Sequence, residues 1–194
     1  MPAGFSKDRL LIIPEKVMQQ ISGMEQAQEV LAIFQIPEDV LPTRYSGLYL
    51  ALDSVRNPGN LGALIRTADW FGIRDIFCST DCVDVYNPKV VQASMGSIGK
   101  VNVHYLDLAS WLETMHIPVY SMMLEGEDIF TFPLAEDCIL VTGNEAHGVS
   151  EAVLKLSKAR LTIPSASEAA TAESLNAAIA GSIAMALYAS QHKH

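Results

Sequence analysis

The chain is poor in the residues that staple small proteins. Of 194 residues only three are cysteine, Cys78, Cys82 and Cys138, and no two form a C-x-x-C pair. An odd count without that spacing gives neither a disulfide framework nor a zinc site, and it suits a reduced cytoplasmic protein. The N-terminus lacks the basic-then-apolar pattern of a signal peptide. The longest apolar stretch, Ser174–Ser190, is interrupted by Asn176 and Ser182. It is shorter than the roughly 20 residues a membrane span needs, so it reads as a buried helix. No G-x-G-x-x-G follows the first strand-like run, and Gly96-Ser-Ile-Gly99-Lys100 lacks the leading glycine and the trailing Ser/Thr of a P-loop; both nucleotide-binding fingerprints are therefore excluded. Positive charge is also missing over a long range. Between Lys100 and Lys155 there is no Lys or Arg, while nine acids fall there, and the net charge is −9. Five bases lie from Arg56 to Lys100. A polyanionic partner would meet that segment, and the acidic stretch reads as a solvated outer face.

What is present is a globular composition, 49% hydrophobic and 18% charged, which excludes bulk disorder. A chain of this length buries roughly 70% of its unfolded surface. Residues 1–35 hold a short apolar run, Leu10–Ile13, a helix opening after Pro14 and a second run, Val30–Phe34, too little for a core of their own. Residues 36–46, with Pro37, Glu38, Asp39 and Pro42, read as a linker. From Gly47 strand-length apolar runs (48–52, 76–78, 101–104, 119–122, 139–142, 160–163) alternate with helical patterns (61–71, 88–95, 109–115, 151–156, 175–189). That alternation predicts an α/β fold with a mostly parallel sheet covered by helices on both faces. Ligands of such sheets bind at the carboxyl ends of strands, which directs attention to the loops after Leu52, Thr142 and Ile163.

The first loop runs from Asp53 to Ala68 and contains Pro58-Gly59-Asn60, Gly62 and Arg66. Pro58-Gly59 suggests a turn, Asn60 a helix cap, and Gly62 a close approach of a ligand or another backbone. Asn60 and Arg66 together, at a strand's carboxyl end, favour an anion site. The second loop, Gly143-Asn-Glu145-Ala-His147-Gly148-Val-Ser150, offers two glycines for backbone approach and Glu145 as a general base or as the partner of an arginine; Ser150 suits a helix cap. His147 has no nucleophile motif beside it and reads as a loop residue. The third loop begins at Ile163-Pro164 and ends at Glu173-Ser174-Leu175-Asn176, with Ser174 placed to cap the last helix. The small residues of that helix, Ala177, Ala178, Ala180, Gly181 and Ala184, allow another helix to pack closely.

In this order the three loops resemble the three motifs of the SpoU (TrmH-like) RNA ribose 2′-O-methyltransferases of the SPOUT superfamily. The matching pieces are Asn60-Leu-Gly62-Ala-Leu-Ile-Arg66-Thr-Ala, then Gly143-Asn-Glu145-Ala-His-Gly148-Val-Ser, then Ile163-Pro164 with Ser174-Leu175-Asn176. Lys89-Val-Val-Gln-Ala-Ser-Met-Gly96-Ser is similar to the family's intervening segment. The resemblance covers about residues 47–190. It implies a deep trefoil knot near the C-terminus, an exception to the unknotted rule, with S-adenosylmethionine bound in the knot and a homodimer formed largely through it. It implies that Gly143, Ile163 and Leu175 touch the cofactor and that Asn60, Arg66, Glu145, Ser174 and Asn176 form the polar catalytic set. Ile21–Phe34 is similar to the later half of the RNA-binding domain that many members carry in front. The chain is thereby expected to comprise a partial RNA-binding fragment (1–35), a linker (36–46) and a methyltransferase domain (47–194). Motif three departs from the family pattern: Ser165 to Ala172 is longer than usual and lacks its glycine.

The implied reaction is attack of a ribose 2′-hydroxyl, on ribosomal or transfer RNA, at the methyl group of S-adenosylmethionine. It needs in-line placement and removal of a proton, and no metal, because the sulfonium is already a good leaving group. The family view makes Arg66 the base. A guanidinium is always charged in proteins, so a clamp on an RNA phosphate and a developing alkoxide suits Arg66 better, with Glu145 and Asn176 orienting it and Asn60 holding the ribose or the helix start. Two other readings stand beside this one: a non-catalytic RNA-binding or assembly protein on a methyltransferase scaffold, and a methyltransferase directed at a base nitrogen.

Overall fold

The computed structural model describes residues 9–167 and 173–192. The chain divides into two compact units, Met1–Glu38 and Asp39–His194. In the first, α1 (Glu15–Ile21) opens after Pro14, whose carbonyl accepts the amides of Val17 and Met18. The apolar runs 10–13 and 30–34 flank it outside any strand, and their larger side chains are mostly exposed.

The second unit is built on β1 (Leu48–Leu52), β2 (Asp75–Ser79), β3 (Asn102–Leu106), β4 (Val119–Asp128), β5 (Cys138–Thr142) and β6 (Ala159–Thr162), in the order β3-β2-β1-β5-β4-β6, with every pairing parallel. β1 and β5 are buried along their whole length. Their side chains alternate between two cores, as a strand's period of two requires. Leu48, Leu50, Leu52, Cys138 and Leu140 join one cluster, and Tyr49, Ala51, Ile139 and Val141 join the other. The first cluster lies under α2 (Pro58–Trp70), α3 (Pro88–Ser94) and α6 (Ala177–Gln191); the second lies under α4 (Leu108–Glu113) and α5 (Glu151–Leu154) and centres on Phe77 stacked against Trp111 at 4.0 Å.

The elements follow the sequence pattern, with shifts at their ends. α2 buries Leu61, Leu64, Ile65 and Ala68, the positions expected of it, but starts at Pro58 and not at Leu61. β4 extends to Asp128 and not to Met122, because Leu161 of β6 pairs with both Met122 and Glu127 and the residues between them bulge out. A Cβ on Gly126 would lie 2.4 Å from the Arg160 carbonyl oxygen, so the bulge closes on β6 only with glycine there. The last helix spans Ala177–Gln191, and among the described residues no helix is long and apolar enough to cross a membrane.

Three features of this frame bring the motif loops together. Leu52 pairs with Thr142, so the loops after β1 and β5 leave the sheet side by side. α6 returns to pack on α2 and β5. Finally, the small residues of α6 meet α2: a Cβ on Gly181 would lie 2.7 Å from the Leu64 Cδ2 and 3.1 Å from the Thr142 Oγ1. Gly62 serves a second backbone, not a ligand, since a Cβ there would lie 2.5 Å from the Ala93 Cβ and 2.9 Å from the Val90 carbonyl oxygen of α3. Gly62→Ala should therefore destabilise the protein by about 1–3 kcal/mol through overpacking, although alanine is the better helix former by about 1 kcal/mol. Urea unfolding checks this; an unchanged or higher midpoint would contradict it.

Candidate active site

Both helices that enter the site are capped by a residue other than the one expected. α2 is capped by Asn57, whose side-chain oxygen accepts from the amides of Gly59 (2.8 Å) and Asn60 (3.2 Å). Pro58 occupies the first helical position, where its missing N–H costs nothing. Asn60 is thus not the cap. It lies in the first turn of the helix, and its side chain is free for other work. α6 is capped by Asn176, which accepts from Ala178 (2.9 Å) and Ile179 (3.3 Å). Ser174, expected as that cap, is exposed two residues earlier.

The released Asn60 side chain, 7% exposed, joins the three loops. Its amide nitrogen donates to the Glu145 Oε1 at 2.7 Å, and its oxygen accepts from the Asn176 Nδ2 at 2.9 Å. The Asn57 amide adds a longer donation to the same Glu145 oxygen, 3.4 Å. Every bond in the series points one way, from the amides at the start of α6 through Asn176 and Asn60 to the Glu145 carboxylate. The positive end of the α6 dipole and the anion therefore lie at opposite ends of one polarised chain. Glu145 is itself exposed, which leaves its outer oxygen accessible.

Loop two owes its shape to Asn144. Asn144 and Gly148 exchange backbone bonds of 2.9 Å each. The Asn144 oxygen accepts from the amides of Ala146 (2.9 Å) and His147 (3.1 Å), and its amide donates to the Ser54 carbonyl at 2.8 Å. Gly143 is required by this closure, since a Cβ would lie 2.2 Å from the Gly148 carbonyl carbon. Gly148 supplies a positive φ of 70°. Ser150 precedes α5, yet its side chain makes no cap bond; its amide instead donates to the Asp53 Oδ2 at 2.7 Å.

Loop one is braced from β2. Ser54 has a φ of 59°, a left-handed conformation unfavourable for a residue with a Cβ. Its amide donates to the Ser79 Oγ (2.8 Å) and its hydroxyl to the Asp81 Oδ2 (2.6 Å). Asp81 also accepts from Arg56 (2.9 Å) and Ser79 (2.7 Å). Donation from Ser54, Arg56 and Ser79 holds the Asp81 carboxyl well below the usual carboxylate range. Cys82, beneath the same loop, accepts from the Val55 amide at 3.2 Å. A cleft of about 120 Å³ is lined by Ser54, Arg56, Asn144 and His147.

Of the residues expected in the site, Asn60, Glu145 and Asn176 are in direct contact, and Leu175 adjoins them. Gly143 lies at the root of loop two, and Ile163 follows β6 half-buried. Arg66 stands apart. It is exposed on α2 with no hydrogen bond or ion pair among the described residues, six residues and about 9 Å of helix rise beyond Asn60. The orientation of Arg66 by Glu145 and Asn176 is therefore not observed; those two side chains hold Asn60. Much of the unusual stretch 165–172 lies outside the described residues. Sequence reasoning missed Asn57, Asn144, Asp53 and Asp81. Asn57-Pro58 carried a usable signal, a cap residue before a proline, and it recurs at Asn87-Pro88, where Asn87 caps α3.

A family profile described as the SpoU rRNA Methylase family matches residues 47–186. The chain is 31% identical over 176 residues to the Bacillus subtilis 23S rRNA (guanosine(2553)-2′-O)-methyltransferase RlmP, covering 89% of this chain and 69% of that one. Among solved structures, a TrmH-family protein from Porphyromonas gingivalis superposes with a TM-score of 0.81 at 38% identity, covering 97% of this chain and 72% of that one. The SpoU methyltransferase AviRb from Streptomyces viridochromogenes, in complex with AdoMet, also gives 0.81, at 28% identity and 93% and 72% coverage.

The Asp81 network carries a pH dependence. A carboxyl whose folded pKa lies below its unfolded value of about 3.9 contributes stability above that pH and loses it as pH falls toward the folded value. Asp81→Asn should therefore be less stable than the parent at pH 7, with the difference shrinking below about pH 4. Urea melts at pH 7 and pH 3 measure this; a difference independent of pH would contradict it.

Proposed function

From the premise that the chain belongs to the SpoU rRNA Methylase family, we propose that it transfers a methyl group from S-adenosylmethionine to a ribose 2′-hydroxyl of ribosomal RNA. The observation that carries the reading is the Asn60 amide, held between Glu145 and Asn176.

The residues present fit the cofactor. At the carboxyl edge of the sheet Leu124 is 69% and Leu175 47% exposed. This is aliphatic surface of the kind an adenosyl group covers, beside loop backbone at Gly143 and Ile163 that lies outside the strand pairings. Gly143, Ile163 and Leu175 would hold the group, which supplies an electrophilic methyl when bound. In the same reading Glu145 accepts the ribose proton on its outer oxygen, while Asn60 and Asn57 hold the inner one. Asn176 fixes Asn60 and, through it, the position of Glu145. Ser174 lies two residues before Asn176, within reach of the same substrate. Arg66, permanently charged, clamps an RNA phosphate; it is no base.

The reading extends to a trefoil knot formed by loops two and three and to a homodimer through the same region. The half-exposed Ile179 of α6 supports a partner there. Residues 1–35 serve as part of an RNA-binding domain, 36–46 as a linker and 47–194 as the methyltransferase domain. The cytoplasm suits three cysteines that are all buried and unpaired.

The test is to incubate the protein with methyl-labelled S-adenosylmethionine and unmodified large-subunit ribosomal RNA transcripts, then digest the RNA to nucleosides. A 2′-O-methylnucleoside is expected. A methylated base on an unmodified ribose would overturn the ribose assignment, and cofactor binding without transfer to any RNA would favour the scaffold reading. Glu145→Gln keeps an oxygen for Asn60 to donate to, so it should fold normally while kcat falls by about 100-fold or more, the scale of a lost general base. Arg66→Lys should retain measurable activity with an unshifted pH profile.

A further inference from the structure

The chain has two tryptophans, and they occupy opposite environments. Trp111 is 8% exposed and stacks on Phe77. Trp70, on the last residue of α2, is 84% exposed. An indole left this bare gives up most of the burial that normally places tryptophan inside. Its backbone is nonetheless well fixed. The neighbouring Asp69 accepts from the Ser97 hydroxyl at 2.9 Å and lies 3.9 Å from the Arg74 guanidinium, and the next residue, Phe71, packs against the core. The side chain is thus presented on a rigid turn.

Residues four apart on a helix are neighbours on one face. The residue four before Trp70 is Arg66, exposed and without an ion pair among the described residues. A bare indole beside an uncompensated guanidinium combines a stacking surface with an anion-binding group, the pairing used to hold unpaired nucleotides. The segment 56–100 carries five bases and four acids; Arg56 and Arg74 lie by Asp81 and Asp69, which leaves Arg66 as the cation beside the indole with no acidic partner among the described residues.

We propose that Trp70 and Arg66 form a platform for the RNA substrate, with the indole face stacking on an unpaired base and the guanidinium holding that nucleotide's phosphate. The inference rests on the methyltransferase reading and adds to it the kind of RNA taken: the strand beside the target ribose is single-stranded or unstacked, as in a loop or bulge. Trp70 sits past the catalytic loops and selects the substrate without touching the reacting atoms.

Trp70→Ala and Trp70→Phe test the platform, with binding of a fluorescein-labelled large-subunit ribosomal RNA transcript measured by anisotropy. The alanine variant should bind roughly 10-fold more weakly and the phenylalanine variant within about 3-fold of the parent, the pattern of lost and retained stacking. Affinity for S-adenosylmethionine and the circular dichroism spectrum should not change. Because Trp111 is buried, the RNA-induced quenching of tryptophan emission should come from Trp70 and disappear in both variants. Equal RNA affinity of the alanine variant and a parent that methylates RNA would overturn the platform alone. A blue shift of the emission with protein concentration and no RNA, together with a smaller assembly for the alanine variant, would overturn it in favour of a second copy covering Trp70. A parent that neither binds nor methylates RNA would overturn the methyltransferase reading and the platform with it.

Discussion

A buried side-chain amide is costly unless both of its ends are bonded. Asn60 meets that condition through two residues, Glu145 and Asn176, that are 85 and 116 positions away in the chain. The loops after β1 and β5 are also tied to each other by Asn144 and Ser150, while the loop after β6 is bound to them through the bond from Asn176 to Asn60. The amide makes them one unit: if either partner loop is displaced, a polar atom of the buried Asn60 side chain loses its bond. This constraint governs how the two helices are capped. Asn57 must cap α2 so that Asn60 is free, and Asn176 must cap α6 with its oxygen so that its nitrogen can reach Asn60. At the start of α2 two asparagines divide the work; at the start of α6 one side chain does both.

The scaffold makes the arrangement affordable. Parallel pairing of Leu52 with Thr142 brings two loops out side by side, and the close approach of α6 to α2, permitted at Gly181, returns the third. The bracing then runs outward. Asn144 ties loop two to the Ser54 carbonyl, and Ser54 is held in a left-handed conformation by Ser79 and Asp81. The strained residue thus lies at the junction between the two loops and β2. Backbone strain there is offset by a carboxylate with three donors, which are worth more than neutral bonds.

Much of this was legible in the sequence, and the rest was hidden for identifiable reasons. Strand periodicity located β1 to the residue and all six strands in order, because buried parallel strands are continuous apolar runs. The three loops, with Asn60, Glu145 and Asn176 in them, stood out as polar and glycine-rich breaks at strand ends. The caps were misread because Pro58-Gly59 has the composition of a turn, while the cap-before-proline signal lay one residue earlier, and because Ser174 and Asn176 are chemically equivalent candidates two residues apart. Gly62 and Gly143 could be recognised as sites of close approach, but what approaches them, α3 and the Gly148 backbone, depends on tertiary packing. Arg66 was grouped with Glu145 by motif; helix geometry separates them, because six residues turn the side chain away from the face that Asn60 uses.

The dependence of the site on the Asn60 amide is tested most directly by a double-mutant cycle on stability. Asn60→Ala, Asn176→Ala and the double variant would be unfolded in urea under identical conditions. If the two side chains act through their shared bond, the double variant should be more stable than the sum of the single losses implies, with a coupling of about 0.5–3 kcal/mol. Additive losses, with a coupling near zero, would mean that Asn60 and Asn176 stabilise their helices separately and that the three loops are not joined through this amide.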